Sequence, residues 1–132
     1  MAQEGLVTVA SRYPARETLD RLLAALGARA MNVFARIDHA AGAAAAGLSL
    51  RPTELVIFGN AKGGTALMQD RQTAGIDLPL KVLVWEDGEG KAWLGYNDPK
   101  WIAQRHGLGA ASAPAVEAMT KILQAIAKEA TD

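Results

Sequence analysis

Cysteine is absent from the chain. Without thiols there is no disulfide, no thiolate nucleophile, no iron–sulfur cluster and none of the usual structural zinc sites. Net charge is missing too, because fourteen acidic residues balance fourteen basic ones. No overall field draws the chain to nucleic acid or to an anionic membrane, and neither partner is expected. Arg12, Arg16, Arg21, Arg29 and Arg36 give the first third a mild basic bias, which reads as a solvated helix face plus strand ends. No apolar run approaches the about 20 residues of a membrane span. Met1-Ala2-Gln3-Glu4-Gly5 carries no basic stretch leading into an apolar one, and Leu6 to Ala10 is too short for a secretory signal. A cytoplasmic location is the default expectation. There are only two histidines, and no His-x-x-x-His or Glu-x-x-His pair exists, so neither a metal site nor a cofactor is expected.

What is present suffices for one domain. Half of the 132 residues are hydrophobic, enough for a normal core without staples. No repeat, linker or domain boundary interrupts residues 1–132. Leu6-Val7-Thr8-Val9-Ala10 alternates as a strand does. Pro14 opens a helix whose Leu19, Leu22, Leu23 and Leu26 recur at helical spacing, with Gly27 as C-cap. Asn32 to Asp38 is a second strand, and the alanine-rich stretch from His39 to Gly47 a second helix. Glu54 to Phe58 reads as a buried strand. Phe58-Gly59-Asn60-Ala61-Lys62-Gly63-Gly64 reads as a glycine-rich turn, with Thr65 as N-cap of a helix reaching Thr73. Leu80 to Glu86 and Lys91 to Asn97 form a hairpin about Asp87-Gly88-Glu89-Gly90. Pro99 starts a short helix ending at His106. Pro114 starts the last one, an amphipathic helix over about 114–129 striped with Val116, Met119, Ile122, Leu123 and Ile126. The order β-α-β-α-β-α-β-β-α-α predicts an α+β single domain, a five-stranded mixed sheet with helices packed largely on one face.

Several segments recur together in a known pattern. They are Asp38-His39-Ala40-Ala41, Leu50-Arg51-Pro52-Thr53-Glu54-Leu55, Ile57-Phe58-Gly59-Asn60, Leu78-Pro79 with the strand through Glu86, and Gly95-Tyr96-Asn97-Asp98-Pro99. In order and spacing they resemble the domain-of-unknown-function family 302 of bacteria and archaea, over about residues 6–108. The resemblance implies a compact α+β domain that often pairs into dimers, and it implies no reaction. Ala61 stands where relatives often carry proline.

Four polar residues are candidates for ligand binding: His39, Asn60, Lys62 and Tyr96. His39 begins the alanine-rich helix and titrates near neutrality, so it suits acid–base work or a metal; the ordinary reading is a helix-start or core histidine. Asn60 and Lys62 lie in the strand–turn–helix passage, the general shape of an anion cradle. The phosphate-loop pattern is not met, since Lys62 precedes the glycine pair, and a tight turn is the ordinary reading. His106, before Gly107, reads as a helix C-terminal histidine favoured by the dipole. Trp85, Trp93, Tyr96 and Trp101 cluster in and after the hairpin, and Trp85 and Trp93 are expected near each other across it; packing and a subunit interface explain them equally well. Asp98 is a good N-cap before Pro99. No serine sits in a nucleophile elbow, and no catalytic residue is named.

The expected function is a non-enzymatic small-molecule or partner-binding domain acting as a homodimer, its pairing driven by apolar sheet surface that helices leave uncovered. One alternative is an enzyme or ligand-responsive protein with a polar pocket around His39 and the Gly59–Gly64 turn. Another is a metal-responsive module using His39 and carboxylates.

Overall fold

The computed structural model describes residues 3–132. Met1 and Ala2, part of the expected single domain and of the N-terminal reading, lie outside them. Five strands follow the alternating segments: β1 (Leu6–Ala10), β2 (Asn32–Asp38), β3 (Thr53–Gly59), β4 (Leu80–Glu86) and β5 (Ala92–Asn97). The helices are α1 (Ala15–Ala28), α2 (His39–Ala45), α3 (Ala61–Asp70), α4 (Pro99–His106) and α5 (Ala113–Thr131), with a 3-10 segment at Gln72–Asp77 after α3.

The strands lie in the order β1-β5-β4-β3-β2, and every neighbouring pair is antiparallel. The mixed sheet expected from the β-α-β passages is therefore corrected. The reason is helix length. A parallel crossover must run back along the whole strand, about 23 Å for seven residues. At 1.5 Å per residue the seven-residue α2 reaches only about 10 Å and the ten-residue α3 about 15 Å. Each returns the chain at the same end and makes its flanking strands antiparallel neighbours. Of the helices that connect strands, only α1, with 14 residues or about 21 Å, spans the length of the five-residue β1, and it links the two edge strands β1 and β2.

Alternation along the inner strands sends Val56, Phe58, Leu80, Val82, Val84, Leu94 and Tyr96 to one face. There they form a single core with the leucine stripe of α1 and with Val116, Met119, Leu123 and Ile126 of α5. Leu22, Leu26, Phe58, Leu94 and Ile126 are inaccessible to solvent. At roughly 2–3 kcal/mol for each such side chain, this layer is the main source of stability.

Local chemistry moves some helix boundaries. The expected glycine-rich turn is mostly helix: α3 starts at Ala61, and Thr65 lies inside it rather than at its N-cap. Asn60 caps it, its side chain accepting the Gly63 N–H at 3.0 Å, which offsets about half of the roughly 2 kcal/mol propensity cost of Gly63 and Gly64 together. Gly27 lies within α1, which ends at Ala28 with Arg29 as its C-cap, and Ala30 follows at φ 54°. Asp98 caps α4 as expected, accepting the Lys100 N–H at 2.9 Å, with Pro99 at the first turn.

Candidate functional site

The second face of the sheet is where the sequence places apolar residues with no helix to meet them. Register fixes its members. Ile37, Leu55, Leu83, Gly95 and Thr8 form one row across all five strands. Thr53, Trp85, Trp93 and Ala10 form the next, and Ala35, Ile57 and Lys81 belong to the row on its other side. Lys81 is the single charge among these twelve. The buried stripes of α1 and α5 join the opposite layer, and α2 buries none of its residues. Trp85 and Trp93 stack with ring centroids 6.4 Å apart. The Trp93 indole N–H donates to Asp87 at 2.8 Å, and Lys91 sits over its ring. That indole bond, with the Lys91 backbone N–H next, holds the Asp87 carboxyl below its ordinary pKa. At the sheet margin every residue of β2 is exposed, with Phe34 at 53%.

A separate groove opens at the other layer. It holds about 380 Å³ between the start of α3, the Leu78-Pro79-Leu80 stretch and one side of α5. Met31, Leu78, Leu80, Met119 and Ile122 line it, and Asn60 and Lys62 stand in its wall. The Asn60 Nδ2 group meets only the Met31 sulfur, at 3.8 Å.

The four predicted ligand-binding residues do not converge. Asn60 and Lys62 share the groove. His39 is exposed and lines neither it nor the polar recess near its own end of the sheet. Asn32 pairs with Gly59 and Asp38 with Glu54, so a strand length of about 20 Å separates Asn60 from His39. Tyr96 is buried in a third place, beside Val9, Arg12, Gln124 and Thr131, where burial, and then the charge of Asp98, raise its pKa. The polar pocket around His39 and the Gly59–Gly64 passage is thus not assembled. Among the described residues no three histidine, aspartate or glutamate side chains form a metal-binding group.

One polar constellation was not anticipated. The His106 Nε2 lies 2.6 Å from Asp77 Oδ2, and its Nδ1 lies 3.0 Å from the Thr73 hydroxyl. Arg105 donates to both oxygens of Asp77 at 3.0 and 3.1 Å. The histidine side chain is 7% exposed and Asp77 12%. The order hydroxyl–imidazole–carboxylate matches a nucleophile–base–orienter relay. None of the three lines the cavities above, and the contacts instead fasten the end of α4 to the 3-10 segment. No local signal joins His106 to Asp77, which stand 29 residues apart.

One solved structure shares this architecture, and matches to a family and to curated proteins accompany it. The family model for the domain of unknown function DUF302 matches residues 7–126. The chain is 58% identical over 115 residues to a protein of Brucella suis named fluoride-specific ion channel FluC 1, covering 87% of this chain and 45% of that protein. A Brucella abortus protein of the same name matches equally, with 43% of its length covered. The chain therefore spans less than half the length of these curated relatives. It is also similar in fold to the crystal structure of an uncharacterized conserved DUF302 protein from Bacillus stearothermophilus. The TM-score is 0.84 at 19% identity, over 97% of this chain and 99% of the other.

Proposed function

The chain belongs to the DUF302 family, and from that premise we propose that it is a non-enzymatic binding domain that works as a homodimer, two copies pairing through their helix-free sheet faces. One observation carries the reading: Ile37, Leu55, Leu83, Trp85 and Trp93 stand in rows whose one charged member is Lys81, with Lys91 reaching over the Trp93 ring, while the buried stripes of α1 and α5 pack on the opposite layer.

Size and symmetry support a second copy as the occupant. Five strands about 4.8 Å apart and about 20 Å long present about 500 Å² per copy, or about 1,000 Å² in a pair, at the lower end for a specific interface. An antiparallel sheet of this composition packs on another at about 10 Å, and a twofold axis requires only self-complementarity. The zero formal net charge removes long-range repulsion between copies. Lys81 belongs to the row next to Leu83, where its flexible stem reaches the rim.

The relatives named fluoride-specific ion channels extend well beyond the matching segment. No helix among the described residues is long and apolar enough to cross a membrane. The channel activity in those names is therefore not transferred to this chain. The shared segment reads as one domain of those longer proteins.

Sedimentation velocity at 1–100 micromolar (about, spanning the usual range for interfaces of this size) tests the pairing. The wild-type chain is expected to sediment as a dimer, and Leu83→Lys as a monomer with unchanged circular dichroism. A wild-type monomer throughout the range overturns the proposal.

A further inference from the structure

The groove between α3 and α5 carries an inference independent of pairing, because it opens on the helical side of the sheet. Its volume, about 380 Å³, lies within the about 300–1,000 Å³ typical of small-molecule sites. Its walls are Met31, Leu78, Leu80, Met119 and Ile122, with alanines and glycines between them. Small residues keep it open: a Cβ on Gly63 would stand 3.4 Å from the Met119 methyl, and one on Gly64 3.8 Å from Leu78. Two flexible thioethers let the walls adapt to the shape of an apolar guest.

The polar groups are few and of one kind. Lys62 is the only charged side chain in the lining, and no ion pair engages it among the described residues. Asn60 uses its carbonyl oxygen to cap α3. That fixes the amide orientation and leaves Nδ2 with the Met31 sulfur at 3.8 Å, a weak acceptor that an oxygen would outcompete. The Gly63 N–H is already taken by the cap, so the anchor is the pair of side chains rather than bare helix backbone. The groove thus offers two donors, one of them cationic, beside an apolar trough without an acidic group. We propose that it binds a small amphiphilic carboxylate, with the chain laid along Met31, Leu78, Met119 and Ile122 and the headgroup between Lys62 Nζ and Asn60 Nδ2.

Decanoate is the probe, titrated into the full chain with amide and methyl NMR readouts. Saturable shifts are expected at Gly59, Asn60, Gly63, Gly64 and the methyls of Met31 and Met119. Loss of a charge-assisted hydrogen bond is worth about tenfold or more in affinity, so 1-decanol should bind about tenfold more weakly. Butyrate, which lacks the apolar length, should not saturate the groove. Lys62→Met keeps the apolar stem and removes the charge, and should bring decanoate down to the decanol level. Asn60→Asp keeps the cap but replaces the donor with a repelling carboxylate; its melting temperature should hold while decanoate binding is lost. Vesicles containing phosphatidylglycerol separate a free ligand from a lipid surface, and the protein is expected to stay in the supernatant. The proposal is overturned by decanoate shifts outside the groove, by equal affinity of wild type and Lys62→Met, by equal affinity for decanoate and decanol, by absence of saturation, or by co-sedimentation with vesicles in place of decanoate binding.

Discussion

Trp85 lies across Gly95. A Cβ on the glycine would stand 2.9 Å from the Cζ3 atom of the indole, closer than real Cβ contacts. The bare backbone of β5 lets the Trp85 ring lie flat and stack on Trp93, its partner in register. Gly95→Ala should therefore push the ring off the sheet and cost about 1–3 kcal/mol, as overpacking does. Urea unfolding should show a lower midpoint at unchanged slope. The coupled tryptophan signal in circular dichroism should weaken with it. An unchanged midpoint and signal would mean that the ring is not held by the glycine.

Asp77 holds two consecutive residues at the end of α4. Asp77→Ala leaves the Nε2 of a nearly buried histidine without its partner and frees Arg105 as well. An unsatisfied buried polar group costs about 1–3 kcal/mol. Asp77→Asn, which keeps an acceptor oxygen, should cost less. Hydrogen exchange should show the loss concentrated in α4 and Gln72–Asp77. Equal and negligible effects of the two substitutions would exclude a fastening role.

How much of this was legible follows from the range of each interaction. β4 at Leu80–Glu86 and α4 at Pro99–His106 were readable to the residue, because strand alternation and an Asp-Pro helix entry are local patterns. The Trp85–Trp93 contact was readable because a short hairpin fixes its register. Strand direction was not, since β-α-β order is the same for a crossover and for a same-end return; only the shortness of α2 and α3 distinguished them. The start of α3 was missed because two glycines read as a turn, whereas the Asn60 cap three residues before Gly63 decides otherwise. That His39 stands apart from the groove was not legible, because residue type suggests chemistry and says nothing of whether a strand end faces a cavity. The Asp77–His106 pair depends on how the 3-10 segment meets α4, a tertiary fact without local trace.

Acid should destabilise the fold through carboxylates held below their ordinary pKa. Asp70 is lowered by the Ser112 hydroxyl and then the Gly109 N–H, Asp87 by the Trp93 indole, and Glu129 by its bond to Arg29. For each, the folded pKa lies below the unfolded one. Their contribution is thus fully present above the unfolded value, about 4, and is lost as pH falls through the folded values. The melting temperature should be level above about pH 5 and fall below about pH 4. Asp87→Asn should lower it at neutral pH and flatten the acid limb. An acid limb as steep as that of the wild type would remove Asp87 from the account.

Ile37 gives the sharpest test of what the exposed margin does. In a lone subunit it is 41% exposed, and Ile37→Lys should shift stability by no more than about 0.5 kcal/mol. In a pair it lies in the same row as Leu55 and Leu83, against the other copy. Pairing links stability to concentration, so the wild-type melting temperature should climb as the protein is concentrated. Ile37→Lys should abolish that climb while matching the wild type at high dilution. His39→Ala, at an exposed position beyond the end of β2, should leave the climb intact. If Ile37→Lys and His39→Ala behave alike at every concentration, the row through Ile37 and Leu83 faces water, and the apolar side of this sheet needs a different occupant.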